Sequence, residues 1–206
     1  MNIRRLYRAA IADLDMIQDR DPSITSRGEA LLHPSVLAVW TYRGAHRLYL
    51  KGMRRTARLL SAVARVASGG IEIHPGAQIG RGFFVDHGAG VVIGETVVIG
   101  EDVTMFHQVT LGSIGWWHDR KRPKGARRHP LIGDRVVIGA NATVLGPVSI
   151  GSDSVVGAQA LVIEDVPSNS RALAPTAVTR GKWGSRPRYL SVVGGDSNAP
   201  VPFPSW

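Results

Sequence analysis

Apolar side chains recur at six-residue intervals along residues 71–163. Stepping by six from Ile73 meets Ile79, Val85, Val91, Val97, Val103 and Val109, and a second row runs Ile93, Ile99, Met105 and Leu111. After one break the rhythm resumes at Ile132, Ile138, Val144, Ile150, Val156 and Val162, and glycine repeatedly follows, as at Gly80, Gly94, Gly139 and Gly157. Six is a poor multiple of the helical period, and each interior glycine would weaken a helix by about 1 kcal/mol. The pattern predicts short strands joined by turns, one hexapeptide per side of a coil, stacked as a parallel β-helix around a continuous apolar column.

Residues 1–70 follow a different period. Ile3, Leu6, Ala10, Leu14 and Ile17 lie three and four apart, on one face of a helix. Asp21-Pro22 ends that helix, because proline disfavours the helical region for the residue before it. A second helix is expected from Pro34, carrying Val36, Leu37, Val39, Trp40 and Leu48. A third runs from Met53 to Ala67 and stops at Gly69-Gly70. The fold class is therefore α+β, with a helical domain over 1–70, a β-helix over 71–166 and a C-terminal extension over 167–206. The extension is rich in Gly, Ser and Pro from about residue 184 and is expected to be flexible there. Between Gly112 and Ile132 the apolar period is lost, so residues 113–131 are expected to project as a loop containing Trp116-Trp117.

Composition narrows the chemistry. The chain has no cysteine, which removes disulfides, thiolate metal sites and acyl-cysteine intermediates. The net charge of +9 raises nucleic acid as a partner, but no nucleic-acid-binding motif accompanies it, and a phosphate-rich small molecule suffices. Asp13 and Asp15 interrupt what would be the apolar part of a signal peptide, and no run is long enough to span a membrane, so a cytoplasmic protein is expected.

The run Ile71-Glu-Ile-His-Pro-Gly through Val85-Asp-His-Gly and Ile93-Gly-Glu-Thr96 resembles the signature of serine O-acetyltransferases of the hexapeptide-repeat family. Val109-Thr-Leu-Gly112 and Arg128-His-Pro130 match it too, as do Tyr42-Arg43 and His46 in the helical region. The resemblance implies a left-handed β-helix and transfer of acetyl from acetyl-coenzyme A to the hydroxyl of L-serine, the step that gives O-acetyl-L-serine for cysteine biosynthesis. It makes His87 the general base and Glu72, where the family carries aspartate, the carboxylate that steadies its imidazolium. Asp21 and Asp86 are implied to face the amino group of the acceptor, and Arg128 and His129 its carboxylate or the developing oxyanion. Gly112, Ser113, Ala140 and Ala158 are implied to line the path of the cofactor's pantetheine arm. The family's tail inserts a terminal isoleucine into O-acetylserine sulfhydrylase; this chain ends in Pro204-Ser205-Trp206, so the resemblance does not extend to that complex.

The residues themselves leave some of this open. Imidazole is matched to removing a hydroxyl proton near neutral pH. His87 stands one hexapeptide before Ile93 and Ile99, in a row expected to be apolar, yet a solvent-facing coil corner fits it equally well. Three hexapeptides per turn put residues near 72 under those near 90, which brings Glu72 toward His87. Asp21 before proline fits local turn chemistry as readily as substrate contact. Guanidinium suits a carboxylate through two parallel hydrogen bonds. The basic cluster Arg120, Lys121, Arg122 and Lys124 suits cofactor phosphates.

Exposed coil edges point to a homotrimer or a dimer of trimers. Three alternatives are carried: another hydroxyl acceptor such as homoserine or a sugar; a γ-carbonic-anhydrase-like zinc enzyme using His74, His87, His107 and His129, whereas the preferred reading needs no metal; and a non-catalytic scaffold.

Overall fold

Helix α1 (Ile3–Arg20) starts the computed structural model, which describes residues 3–177. It is followed by the short α2 (Arg27–Ala30), α3 (Pro34–Leu50) and α4 (Arg54–Ala67). Two of the boundaries show their local cause. Asp21 follows α1 and turns the chain, its Oδ1 accepting from Ser23 N–H at 2.9 Å and Ser23 Oγ–H at 2.7 Å. Pro34 opens α3 behind His33, whose ring accepts from the Ser35 N–H.

Among the described residues, fourteen short strands then stack in three parallel sheets. The first sheet holds β1 (Glu72–Ile73), β4 (Val92–Ile93), β7 (Thr110–Gly112), β10 (Thr143–Leu145) and β13 (Leu161–Val162). The second holds β2 (Gln78–Ile79), β5 (Val98–Ile99), β8 (Leu131–Ile132) and β11 (Ser149–Ile150). The third holds β3 (Phe84–Val85), β6 (Thr104–Met105), β9 (Val137–Ile138), β12 (Val155–Val156) and β14 (Arg171–Ala172). The last strand corrects the expected end at residue 166: after Ile150 bridges Val166, the coil runs on until Arg171 pairs with Val155.

The register shows where the coil is regular and where it is not. Stacked partners are 18 residues apart where the repeat is regular, as in Leu131 with Ser149, 33 apart across the loop, as in Val98 with Leu131, and 16 apart in the last coil, as in Val155 with Arg171. Across the first coil they are 20 apart, as in Glu72 with Val92 and Phe84 with Thr104. Two extra residues therefore lie in the corner between β3 and β4, the corner that carries His87. Ile93 accordingly continues the inward row of Val85, and Val91 belongs to a separate inward row at the corner. Both rows are buried, apart from the half-buried Ile79 beneath the helices.

The helices cap one end of this column. Ala38, Val39 and Tyr42 of α3 join the apolar cluster that runs through the β-helix, and residues up to Ala174 form one compact unit. Tyr42 Oη donates to the Ala77 carbonyl at 2.6 Å, and His46 Nδ1 lies 2.8 Å from the Pro75 carbonyl. Arg43 forms a buried two-pronged pair with Asp13 at 2.7 and 2.8 Å and also donates to the Gly80 carbonyl, while Asp13 accepts from Phe83 N–H. This pair ties α1, α3 and the first coil at one point. The flexibility expected from residue 184 falls outside the described residues.

Candidate active site

Most of the candidate residues gather in two places. The first is the corner between β3 and β4. His87 occupies the left-handed region at φ 59°, and its side chain is 74% exposed. The turn is closed by Gly88 N–H to Asp86 O and Ala89 N–H to His87 O, both at 2.7 Å. Gly88, at φ 55°, must lack a side chain, because a Cβ there would lie 2.4 Å from Ile71 Cδ1. Of the two placements open for His87, the structure shows the coil corner and not the apolar row: the two-residue insertion shifts the phase, and the ring projects from the corner.

Around His87 stand Asp86, whose Oδ1 is 3.7 Å from Nε2, and His107 of the next coil, ring centroids 6.0 Å apart. Asp21 and His33 complete this group; the charges acting on His33 are Asp86, Asp21 and His87. His33 is a member that sequence reasoning missed. Its Nδ1 accepts from Ser35 N–H, its ring tilts against Phe84, and burial lowers its pKa. Asp21 engages Ser23 through local turn bonds that lower its pKa, as its turn reading anticipated.

The second place is a cavity of about 410 Å³ lined by Tyr49, Arg54, Arg58, Glu72, His74, Gly94, Glu95, Arg128 and His129. Its organisation explains the Gly94-Glu95-Thr96 motif residue by residue. Gly94 makes room for the His129 ring, since a Cβ there would fall 2.2 Å from Cδ2 and Nε2. Glu95 accepts from Tyr49 Oη–H and from Arg128, both at 2.7 Å. Thr96 presents its N–H at 3.2 Å and its hydroxyl at 2.8 Å to His129 Nδ1. The same hydroxyl oxygen accepts from the Arg128 and His129 N–H groups, so its own hydrogen goes to the ring. With two donors on Nδ1, the neutral imidazole must carry its proton on Nε2. Burial, then the neighbouring Arg128, holds the His129 pKa down to about 4, so the ring is a neutral Nε2–H donor at physiological pH. The sequence signal for these roles was the motif itself; the roles of Glu95 and Thr96 were not read from it.

Glu72 belongs to this second group and not to His87. Its carboxylate pairs with Arg65 at 2.8 Å, and its register partner is Val92, beyond the whole corner turn. The expected Glu72–His87 contact within one chain is therefore corrected: the inserted residues carry the imidazole outward while Glu72 stays on the first sheet.

The corner column continues upward from His87. Asn141 N–H donates to His107 O and Gln159 N–H to Ala140 O, so His107, Ala140 and Ala158 belong to the stacked corners above it. Gly112 and Ser113 lie elsewhere, at the end of β7 where the loop departs. That loop contains a helical turn, α5 (Trp116–Asp119), with Arg120 stacked over Trp116 at 4.6 Å. Among the described residues, no three His, Asp or Glu side chains of one chain converge as a metal site, and no helix is long and apolar enough to cross a membrane.

Three parallel sheets stacked on a six-residue period are the architecture of hexapeptide-repeat proteins. A family model described as bacterial transferase hexapeptide (six repeats) matches residues 129–164. The serine acetyltransferase of Helicobacter pylori is 48% identical over 167 residues, 81% of this chain and 93% of that one. That of Mycobacterium tuberculosis is 46% identical over 180 residues, 87% of this chain and 72% of its relative. The crystal structure of Neisseria gonorrhoeae serine acetyltransferase in complex with serine superposes with a TM-score of 0.75 at 36% identity, covering 84% of this chain and 68% of that one. The chain belongs to the serine acetyltransferase family, with its left-handed parallel β-helix. It spans between 62% and 68% of the length of the solved relatives.

Proposed function

We propose that this protein transfers the acetyl group of acetyl-coenzyme A to the hydroxyl of L-serine, in a site completed between two copies of the chain. The observation that carries the reading is the division of the machinery. The corner holding His87, Asp86 and Asp21 and the cavity holding Arg128, His129 and Glu72 are separate within one chain, and each holds half of what the reaction needs. A neighbouring copy supplies the missing half, which makes a homotrimer the assembly we favour. Exposed Leu59, Val63 and Val66 on α4 and Leu161 and Ile163 on the β-helix offer apolar surface for such contacts.

In this reading acetyl-coenzyme A supplies the activated acetyl group. His87 accepts the serine hydroxyl proton as the oxygen bonds to the acetyl carbon, and returns it to sulfur as the carbon–sulfur bond breaks. Asp86 and Asp21 face the acceptor's ammonium group, and Glu72 of the neighbouring copy meets the imidazolium of His87. Arg128 binds the acceptor carboxylate, and the Nε2–H of His129 donates to it or to the oxyanion. The column of His107, Ala140 and Ala158 extends about 14 Å from His87 at the usual inter-strand spacing, and its small side chains suit an extended thioester arm. Gly112 and Ser113, on the other side of the coil, fit the same arm only as the neighbouring copy's wall of the groove. Exposed Lys121 and Lys124 suit the phosphates.

The test is thiol release from acetyl-coenzyme A with serine, homoserine and sugars as acceptors. His87→Ala is expected to lower serine-dependent turnover by at least about a hundredfold with the fold intact. Assemblies mixed from His87→Ala and Arg128→Ala chains are expected to regain activity, because one site in the mixture receives both intact halves. Near-normal activity of His87→Ala removes it as the base, and mixed assemblies as inactive as their parents refute the shared site.

A further inference from the structure

We propose that Asp119, on the loop this chain inserts into its β-helix, is a specificity-setting residue that competes with the substrate's carboxylate for Arg128. The inference rests on the reading of Arg128 as the carboxylate seat. Both terminal nitrogens of that guanidinium are already engaged. One donates to Glu95 at 2.7 Å and the other to Asp119 Oδ2 at 3.2 Å. One positive charge thus faces two carboxylates, and a third is favoured there only if one of them leaves.

The geometry selects which one yields. Glu95 sits on a coil turn and is clamped from its other side by Tyr49 Oη at 2.7 Å. Asp119 is held by the longer bond and belongs to a loop outside the stacked sheets, so it can withdraw without disturbing the coil. It also has somewhere to go. Arg122 Nε is buried without a hydrogen-bond partner and lies 3.8 Å from Asp119 Oδ1. A shift of about 1 Å converts that approach into a charge-assisted hydrogen bond. Substrate entry then exchanges one hydrogen-bonded pair for two: the acceptor carboxylate takes the place of Asp119 on Arg128, and Asp119 closes on the unsatisfied Nε of Arg122. Asp119 thereby weakens the binding of acceptors with a carboxylate by making them displace it.

Steady-state kinetics on the full chain, with serine and acetyl-coenzyme A varied in turn, test this. Asp119→Asn keeps the shape and removes the charge; the serine KM is expected to fall about threefold to tenfold while the acetyl-coenzyme A KM stays as it was. Arg122→Gln removes the second seat and is expected to raise the serine KM, and the double variant should behave as Asp119→Asn alone. Asp119→Ala serves the same comparison if the amide disturbs folding, judged by circular dichroism and Tm. A serine KM that is unchanged or raised in both Asp119 variants overturns the proposal. Arg128→Gln separates the two levels: if it leaves the serine KM at the parent value, Arg128 is not the carboxylate seat, and the reading beneath the proposal fails. If it raises the serine KM while loss of Asp119 does not lower it, only the competition is refuted.

Discussion

Adding one methyl group at Gly94 should dismantle the second half of the site. A Cβ at this position would stand 2.2 Å from both Cδ2 and Nε2 of His129, with Cγ at 2.9 Å. Ordinary contacts begin near 3.5 Å, so the ring must retreat by about 1.3 Å. It cannot do so freely. His129 is 6% exposed, its Nδ1 is held by Thr96, and its backbone N–H is bound to the same hydroxyl. Overpacking of this kind costs about 1–3 kcal/mol, and loosening the Thr96 bonds adds about 1 kcal/mol. A total of about 2–4 kcal/mol corresponds to a Tm lower by about 4–16 °C for a chain of this size. Displacement of the Nε2–H donor by about 1 Å should also lower kcat/KM for serine by about a hundredfold. Scanning calorimetry and initial rates on Gly94→Ala measure both. A variant with parental Tm and parental kcat/KM would show that the ring is not packed on Gly94 and that the motif has another purpose.

Two further outcomes follow from buried groups. Asp13→Ala leaves Arg43 buried without its carboxylate and should destabilise the chain by about 3–5 kcal/mol in chemical denaturation, whereas loss of the exposed Arg135–Asp153 pair should leave the midpoint nearly where it was; equal effects would refute the claim that the buried pair ties helices to coil. His129, held near 4, takes up its proton more readily once unfolded, so stability should be full above about pH 6.5 and fall as pH drops toward 4, by about 1–3 kcal/mol from this group. His33 and His74 are lowered by burial in the same direction and add to the loss. His129→Asn, which cannot take up that proton, should flatten the acid limb of Tm against pH, and an unchanged limb would assign the acid sensitivity to other groups.

The hexapeptide rhythm determined the coil, because a period of six with in-phase apolar residues is compatible with one stacked column and little else. Helix ends at Asp21, Pro34 and Gly69 were equally legible, since proline and glycine act through local backbone sterics. The single histidine corner and the Arg128-His129 pair could be picked out by residue type and motif. What the sequence concealed was phase. Two residues inserted between β3 and β4 look like ordinary repeat residues on paper, because Val85 and Val91 stay six apart although they occupy different rows. Only pairing across the sheet shows that Val85 leads to Ile93 and that His87 stands outside both rows. Side-chain partners between separate elements were hidden as well: Glu72 against Arg65, Glu95 between Tyr49 and Arg128, and Thr96 fixing the His129 proton join residues up to 46 positions apart, and hydrogen-bond direction is a property of geometry that no spacing rule encodes.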